Sequence, residues 1–96
     1  MRNRYIVAYD IRNPSRLRKV YVKMRGFGEA IQYSVFVCDL SMKERSLMIA
    51  ELTELISASE DSIAIVNIGS PNGEITDRVE FMGRIPEIKE RTAVIV

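Results

Sequence analysis

Apolar residues along the chain follow first a strand-like and then a helix-like period. Tyr5-Ile6-Val7-Ala8-Tyr9 runs without a polar interruption into Asp10, the pattern of a strand buried on both faces that ends at a surface. A helix is predicted next. Asn13 can cap it, and Pro14 suits its first position, where proline's missing amide proton is harmless and its fixed φ fits. Leu17, Val20, Met24 and Phe27 recur at three- and four-residue steps, an apolar stripe to lay on a sheet, while Arg16, Lys19 and Lys23 line another face. Gly26 and Gly28 are expected to end this helix.

From Glu29 to Leu40 the residues are β-branched and aromatic, hence extended. A single strand would place Ile31, Tyr33, Val35 and Val37 on one face and Gln32, Ser34, Phe36 and Cys38 on the other. A short strand, a tight turn near Gln32 to Ser34 and a second strand fits equally well. Ser41 with Glu44 forms a capping box, opening a helix to about Ile56 with Met48, Leu52 and Leu55 on one stripe, flanked by Ile49 and Ile56. Ile63 to Ile68 is a further strand apolar on both faces. Ser70-Pro71-Asn72-Gly73 is a turn by composition. Arg78-Val79-Glu80-Phe81-Met82 then alternates as an exposed strand would, Gly83 and Pro86 interrupt, and the sequence closes on Ala93-Val94-Ile95-Val96. The order predicts one α+β domain over residues 1–96. Two helices lie on one face of an antiparallel or mixed sheet, the ferredoxin-like β-α-β-β-α-β arrangement, and residues 70–96 form a turn and an extension with further strand character.

A chain of 96 residues, 47% hydrophobic, is the size of one domain and buries a modest core, which oligomerisation would enlarge. The single Cys38 excludes an intrachain disulfide and a cysteine zinc cluster, and it reads as a small core hydrophobe. With no signal peptide and no long apolar run, the expected setting is the reducing cytoplasm, away from membranes. There is no histidine. Serine-histidine chemistry, histidine general-base cleavage of RNA and histidine metal sites are therefore excluded, leaving carboxylates, a metal, Lys, Tyr or Ser. The five methionines fit core filling.

Charge changes the picture more than composition does. Residues 1–28 carry eight basic side chains against Asp10 alone, and the remaining residues carry six against twelve acidic ones. Arg12, Arg16, Arg18, Lys19 and Lys23 are thus candidates for a polyanion-binding face. The alternative is a solvated helix face, which must explain why no acid falls between Arg12 and Gly28. Asp10, at the mouth of this basic region, is either a phosphate-handling carboxylate or a turn aspartate.

Tyr9-Asp10-Ile11, Arg18-Lys19-Val20, Gly28 and Gln32-Tyr33-Ser34-Val35-Phe36 together resemble the signature of the CRISPR-associated Cas-two family. The match is close over residues 5–40 and extends beyond them in length and element order. The resemblance implies a homodimer of ferredoxin-like subunits, with a C-terminal strand (here Ala93, Val94, Ile95 and Val96) crossing to the partner. It also implies metal-dependent endonuclease activity on RNA or DNA in some members, and a role with a partner integrase in capturing spacer DNA. The family's metal-binding, catalytic aspartate falls on Asp10, with Tyr9, Arg18 and Phe36 matching its tyrosine, first-helix arginine and phenylalanine. Mg²⁺, or Mn²⁺, would be shared between the Asp10 carboxylates of two subunits, with Arg16 or Arg18 offsetting the charge that develops on phosphate. One position departs: some members with nuclease activity have an arginine two residues before the family glutamine, where this chain has Ala30. The rival reading is a non-catalytic dimeric adaptor that holds duplex DNA and bridges integrase subunits. A free-standing module for single-stranded RNA is a third, but Tyr5, Val7 and Tyr9 do not match the usual aromatic signatures of such strands.

Overall fold

The first apolar run forms strand β1 (Arg2–Asp10), and Asn13 caps helix α1 (Pro14–Met24) as its chemistry dictates, its side-chain oxygen accepting the Arg16 amide at 3.0 Å. Strands β2 (Glu29–Gln32) and β3 (Val35–Ser41), helix α2 (Met42–Leu55), strand β4 (Ser62–Gly69) and a 3₁₀ turn at Ile75–Asp77 follow. The computed structural model describes residues 1–87. The sheet is antiparallel throughout, in the order β2-β3-β1-β4, so β1 lies in the middle with Val7 opposite Phe36 on one side and Ile65 on the other. This is the ferredoxin-like topology. None of the described helices is long and apolar enough to cross a membrane.

Residues 29–40 form a hairpin, not one strand, with Tyr33 and Ser34 at the turn. Ser41 and Glu44 form the expected capping box: the Glu44 amide donates to Ser41 Oγ at 3.1 Å and the Ser41 amide to Glu44 Oε1 at 2.8 Å. Helix α1 stops at Met24, and the glycines beyond it take no left-handed conformation. The chain instead tightens through Gly26 N–H to Lys23 O and Phe27 N–H to Met24 O, at 3.0 and 2.9 Å.

The expectation that β1 is buried on both faces is corrected, and β4, apolar on both faces as read, leaves one of them open. Tyr5, Val7 and Tyr9 pack under the helices with Val20, Met24 and Phe36, whereas Ile6 and Ala8 are half-buried and Ala64 and Val66 are exposed. Both helices cover the same face, and only the segment after β4 returns over the other. Ile75 seats there against Ile31 and Val37, with Val79 and Phe81 packed beside them. The predicted strand at residues 78–82 is likewise corrected: it pairs with no strand among the described residues. Its alternation is kept because Val79 and Phe81 face the sheet while Glu80 and Met82 face solvent. Arg4 fastens this return, holding Asp39 through Nε at 2.8 Å and donating to the carbonyls of Pro71 and Gly73 at 2.8 and 2.9 Å.

Candidate nucleic-acid interface and strand-end carboxylate

Asp10 stands at the end of β1, opposite Ser62 of β4, while the next residue, Ile11, is buried in the core. Its side chain is 65% exposed and meets the equally open guanidinium of Arg12 at 3.2 Å. Among the described residues no group of three or more acidic or cysteine side chains is placed to hold a metal. Hard cations such as Mg²⁺ keep several waters and need only one or two carboxylates with a substrate phosphate. At the end of β1, Asp10 offers one such carboxylate, with Arg12 competing for it.

The basic stretch is less free in space than along the chain. Asp61, whose side chain is fully buried, accepts Arg16 Nε and Nη2 at 2.8 and 3.1 Å together with the amides of Arg12 and Ser57 at 2.9 and 2.8 Å. Glu60 takes a further bond from Arg16 at 3.2 Å, and Glu51 of α2 takes Lys23 at 2.7 Å. The acids missing between Arg12 and Gly28 arrive from α2 and the loop behind it. Arg12, Arg16 and Lys23 thus meet carboxylates of their own chain. Arg18, Lys19 and Arg25 are exposed and carry no ion pair among the described residues. Arg18 and Lys19 border a shallow groove of about 640 Å³ beside α2, lined also by Val22, Phe27 and Leu55.

Two acids anchor this frame with shifted titrations. Arg16, then the amides of Arg12 and Ser57, holds the Asp61 carboxyl below the usual range. Arg2, bound at 2.9 and 3.0 Å, and then the Ser41 amide lower Glu44 to about 2. Because both are depressed in the folded protein, their stabilisation is complete above the ordinary carboxylate range and is lost as pH falls through the folded values. The melting temperature is expected to drop between about pH 5 and about pH 2. Asp61→Asn and Glu44→Gln should each lower it at neutral pH and flatten the acid slope, Asp61→Asn more, since Arg2 is half-exposed and solvent screens its pair. Parallel acid slopes in wild type and both variants, followed by circular dichroism, would contradict these assignments.

Tyr9 and Phe36, both matched to the family signature, are core residues with ring centroids 6.2 Å apart. Burial pushes the Tyr9 hydroxyl up to about 12, so it stays a donor, and it bonds the Tyr33 carbonyl at 3.2 Å. Their part is to hold the hairpin turn against the end of β1. Sequence reasoning passed over Tyr21 and Arg25. Their spacing from Arg18, three and seven residues on, was the signal, because it puts all three on one helix stripe. Ala93, Val94, Ile95 and Val96 lie outside the described residues.

Fold and geometry together define a small ferredoxin-like domain with an open carboxylate at the end of a middle strand and a partly neutralised basic helix behind it. The chain belongs to the CRISPR associated protein Cas2 family, whose model matches residues 2–74. It is 38% identical over 92 residues to the CRISPR-associated endoribonuclease Cas2 1 of Rhodospirillum rubrum, covering 96% of this chain and 89% of that one. It is also 38% identical over 96 residues to the CRISPR-associated endoribonuclease Cas2 of Geobacter sulfurreducens, covering 100% of both. The crystal structure of Streptococcus pyogenes Cas2 superposes with a TM-score of 0.68 at 30% identity, over 83% of this chain and 99% of that one.

Proposed function

We propose that this protein is a CRISPR adaptation subunit: a homodimer that works with a partner integrase in acquiring spacer DNA. In this reading it also cleaves phosphodiester bonds of RNA or DNA, with Mg²⁺ or Mn²⁺ between two Asp10 carboxylates. The observation that carries it is the position of Asp10, exposed at the end of the central strand with Arg12 at 3.2 Å, in a chain whose relatives are named endoribonucleases. The Asp10 carboxylates of the two copies would hold the cation. Arg12, released from Asp10, turns its exposed guanidinium to the substrate phosphate. Such a cation would supply Lewis-acid polarisation of the phosphodiester and a more acidic water. Arg18 and Lys19 grip the backbone away from the scissile bond, while Arg16, committed to Asp61, fixes the start of α1. The exposed apolar face at Ala64 and Val66 supports the homodimer.

A second reading, the non-catalytic adaptor on duplex DNA, is favoured by Arg18 and Lys19 themselves, which stay exposed and unpaired among the described residues whether or not two Asp10 side chains converge. Both readings need these cations. Each phosphate contact contributes about 0.9 to the slope of log affinity against log salt, so Arg18→Ala with Lys19→Ala should flatten the slope for duplex DNA by about 1 to 2. Arg16→Ala should change stability more than slope. Titrations over a range of salt, with the purified integrase added in a parallel series, test the proposal; an unchanged slope and no association with integrase would sink it.

A further inference from the structure

Helix α1 has two basic edges that meet different surroundings. On the edge toward α2, Arg16 and Lys23 end on Asp61 and Glu51. Away from those pairs, Arg18 and Arg25 meet no carboxylate among the described residues, and Tyr21, whose ring reaches the β2–β3 turn, lies between them on one helix stripe. The Tyr21 ring stacks on Tyr33 at 5.4 Å and 20°, and its edge meets Phe36 at 5.5 Å and 65°. Tyr33, at the tip of the turn, is 64% exposed. Its backbone is nonetheless fixed: Tyr9 donates its hydroxyl to the Tyr33 carbonyl at 3.2 Å and its amide to the Ser34 carbonyl at 3.0 Å.

A single exposed aromatic ring is ordinary on a protein surface. Here the ring is backed by a second ring, Tyr21, whose helix stripe also carries two guanidinium groups that no carboxylate among the described residues neutralises, and its backbone is held by a buried tyrosine. Aromatic faces interleaved with unpaired cations are the recognition chemistry of single-stranded nucleic acid, in which bases stack and phosphates pair with the cations. Duplex DNA keeps its base faces inside except at its two terminal pairs, so along its length it offers such a platform nothing to stack. We infer that Tyr33, backed by Tyr21, is a stacking platform for one unpaired nucleobase of a single-stranded segment, with Arg18 and Arg25 taking its flanking phosphates. The inference rests on the nucleic-acid function proposed above and adds a strand state to it. Tyr9, which holds the Tyr33 backbone, directly precedes Asp10, so a strand stacked here lies at the same end of the sheet as the carboxylate.

The test compares the full chain with its Tyr33→Ala, Tyr33→Leu and Tyr33→Phe variants, each titrated with a fluorescent single strand and with a blunt duplex of the same sequence. Tyr33→Ala should weaken single-strand binding on the order of tenfold and leave duplex binding unchanged, which also shows that the variant is folded. Tyr33→Leu, which covers Tyr21 without offering a π face, should fall as far as alanine, and Tyr33→Phe should bind as wild type. Quenching of a 2-aminopurine base in the single strand should vanish in the alanine and leucine variants. Unchanged single-strand affinity in Tyr33→Ala, equal losses on both ligands, or full binding by Tyr33→Leu would each overturn the platform. A wild-type protein that binds duplex but not single strand overturns it and leaves the proposed function standing, whereas binding of neither removes both.

Discussion

In the proposed nuclease reading, Asp10→Asn is expected to reduce metal-dependent cleavage by at least about 100-fold while the protein stays folded. Asparagine keeps the size of the side chain and one acceptor oxygen but removes the charge that a hard cation requires. If two Asp10 carboxylates share one cation, each dimer loses both at once, and Mg²⁺ affinity should fall with turnover. The structural cost is small. The sole ion pair at Asp10 among the described residues is with Arg12, both side chains are about two-thirds exposed, and such pairs contribute less than about 1 kcal/mol. Lost turnover therefore reports on the site and not on unfolding. Spacer acquisition in cells separates the two proposed readings. Acquisition that continues with Asp10→Asn makes the biological role that of an adaptor, and acquisition lost in a folded dimer makes it catalytic. Wild-type protein that cleaves neither RNA nor DNA with Mg²⁺ or Mn²⁺ would end the nuclease reading. Ala30, which takes the place of an arginine present in some members with nuclease activity and lies half-buried opposite Phe36 in the hairpin, would then be the first position to alter.

The legible parts of the fold are those whose determinants are close along the chain. Asn13 with Pro14, and Ser41 with Glu44, announce their helices because a cap is a contact across three residues. The turn at Tyr33 and Ser34 was undecidable for the opposite reason: it contains neither glycine nor proline, and two of the bonds that fix it come from Tyr9, on another strand. The same limit governs charge. Arg16 and Asp61 are 45 positions apart and 2.8 Å apart in space, so a stretch that is uniformly basic in sequence is half-neutralised once folded. The alternation at residues 78–82 is real, with Val79 and Phe81 turned to the sheet, but alternation records which way residues face and not whether a ladder forms. At the site, Asp10 was legible as the polar end of an apolar run. Its neighbour Arg12 was visible too, but convergence of two carboxylates is a property of two chains, and one sequence does not carry it.

Gly28→Ala should cause the largest loss of stability of any single methyl addition in the hairpin region. A β-carbon on Gly28 would overlap the Val37 carbonyl oxygen and lie 2.5 Å from Cys38 Sγ. Neither neighbour can yield cheaply. The carbonyl belongs to β3, where Val37 sits in register with Glu29 of β2 and with Ile6 of β1. Cys38 is fully buried opposite Tyr5. Gly28 itself is tied to the end of α1 by its amide bond to the Met24 carbonyl at 3.0 Å. Room for a methyl group can therefore come only from lifting the start of β2 off β3 or pushing Cys38 into the core. Overpacking costs about 1–3 kcal/mol, and contact with backbone puts this case at the upper end. For a domain of this size that is a fall of roughly 10–20 °C in Tm. Gly26→Ala is the control. Its β-carbon would meet only the Lys23 carbonyl, at 3.3 Å, with no left-handed φ to preserve. It should shift stability by less than about 1 kcal/mol. Cys38→Ala added to Gly28→Ala should recover part of the loss by removing the sulfur, but not the part caused by the carbonyl. Urea unfolding of the four proteins measures all of this. A Gly28→Ala midpoint equal to wild type would mean that β2 and β3 do not approach as closely as the structure has them.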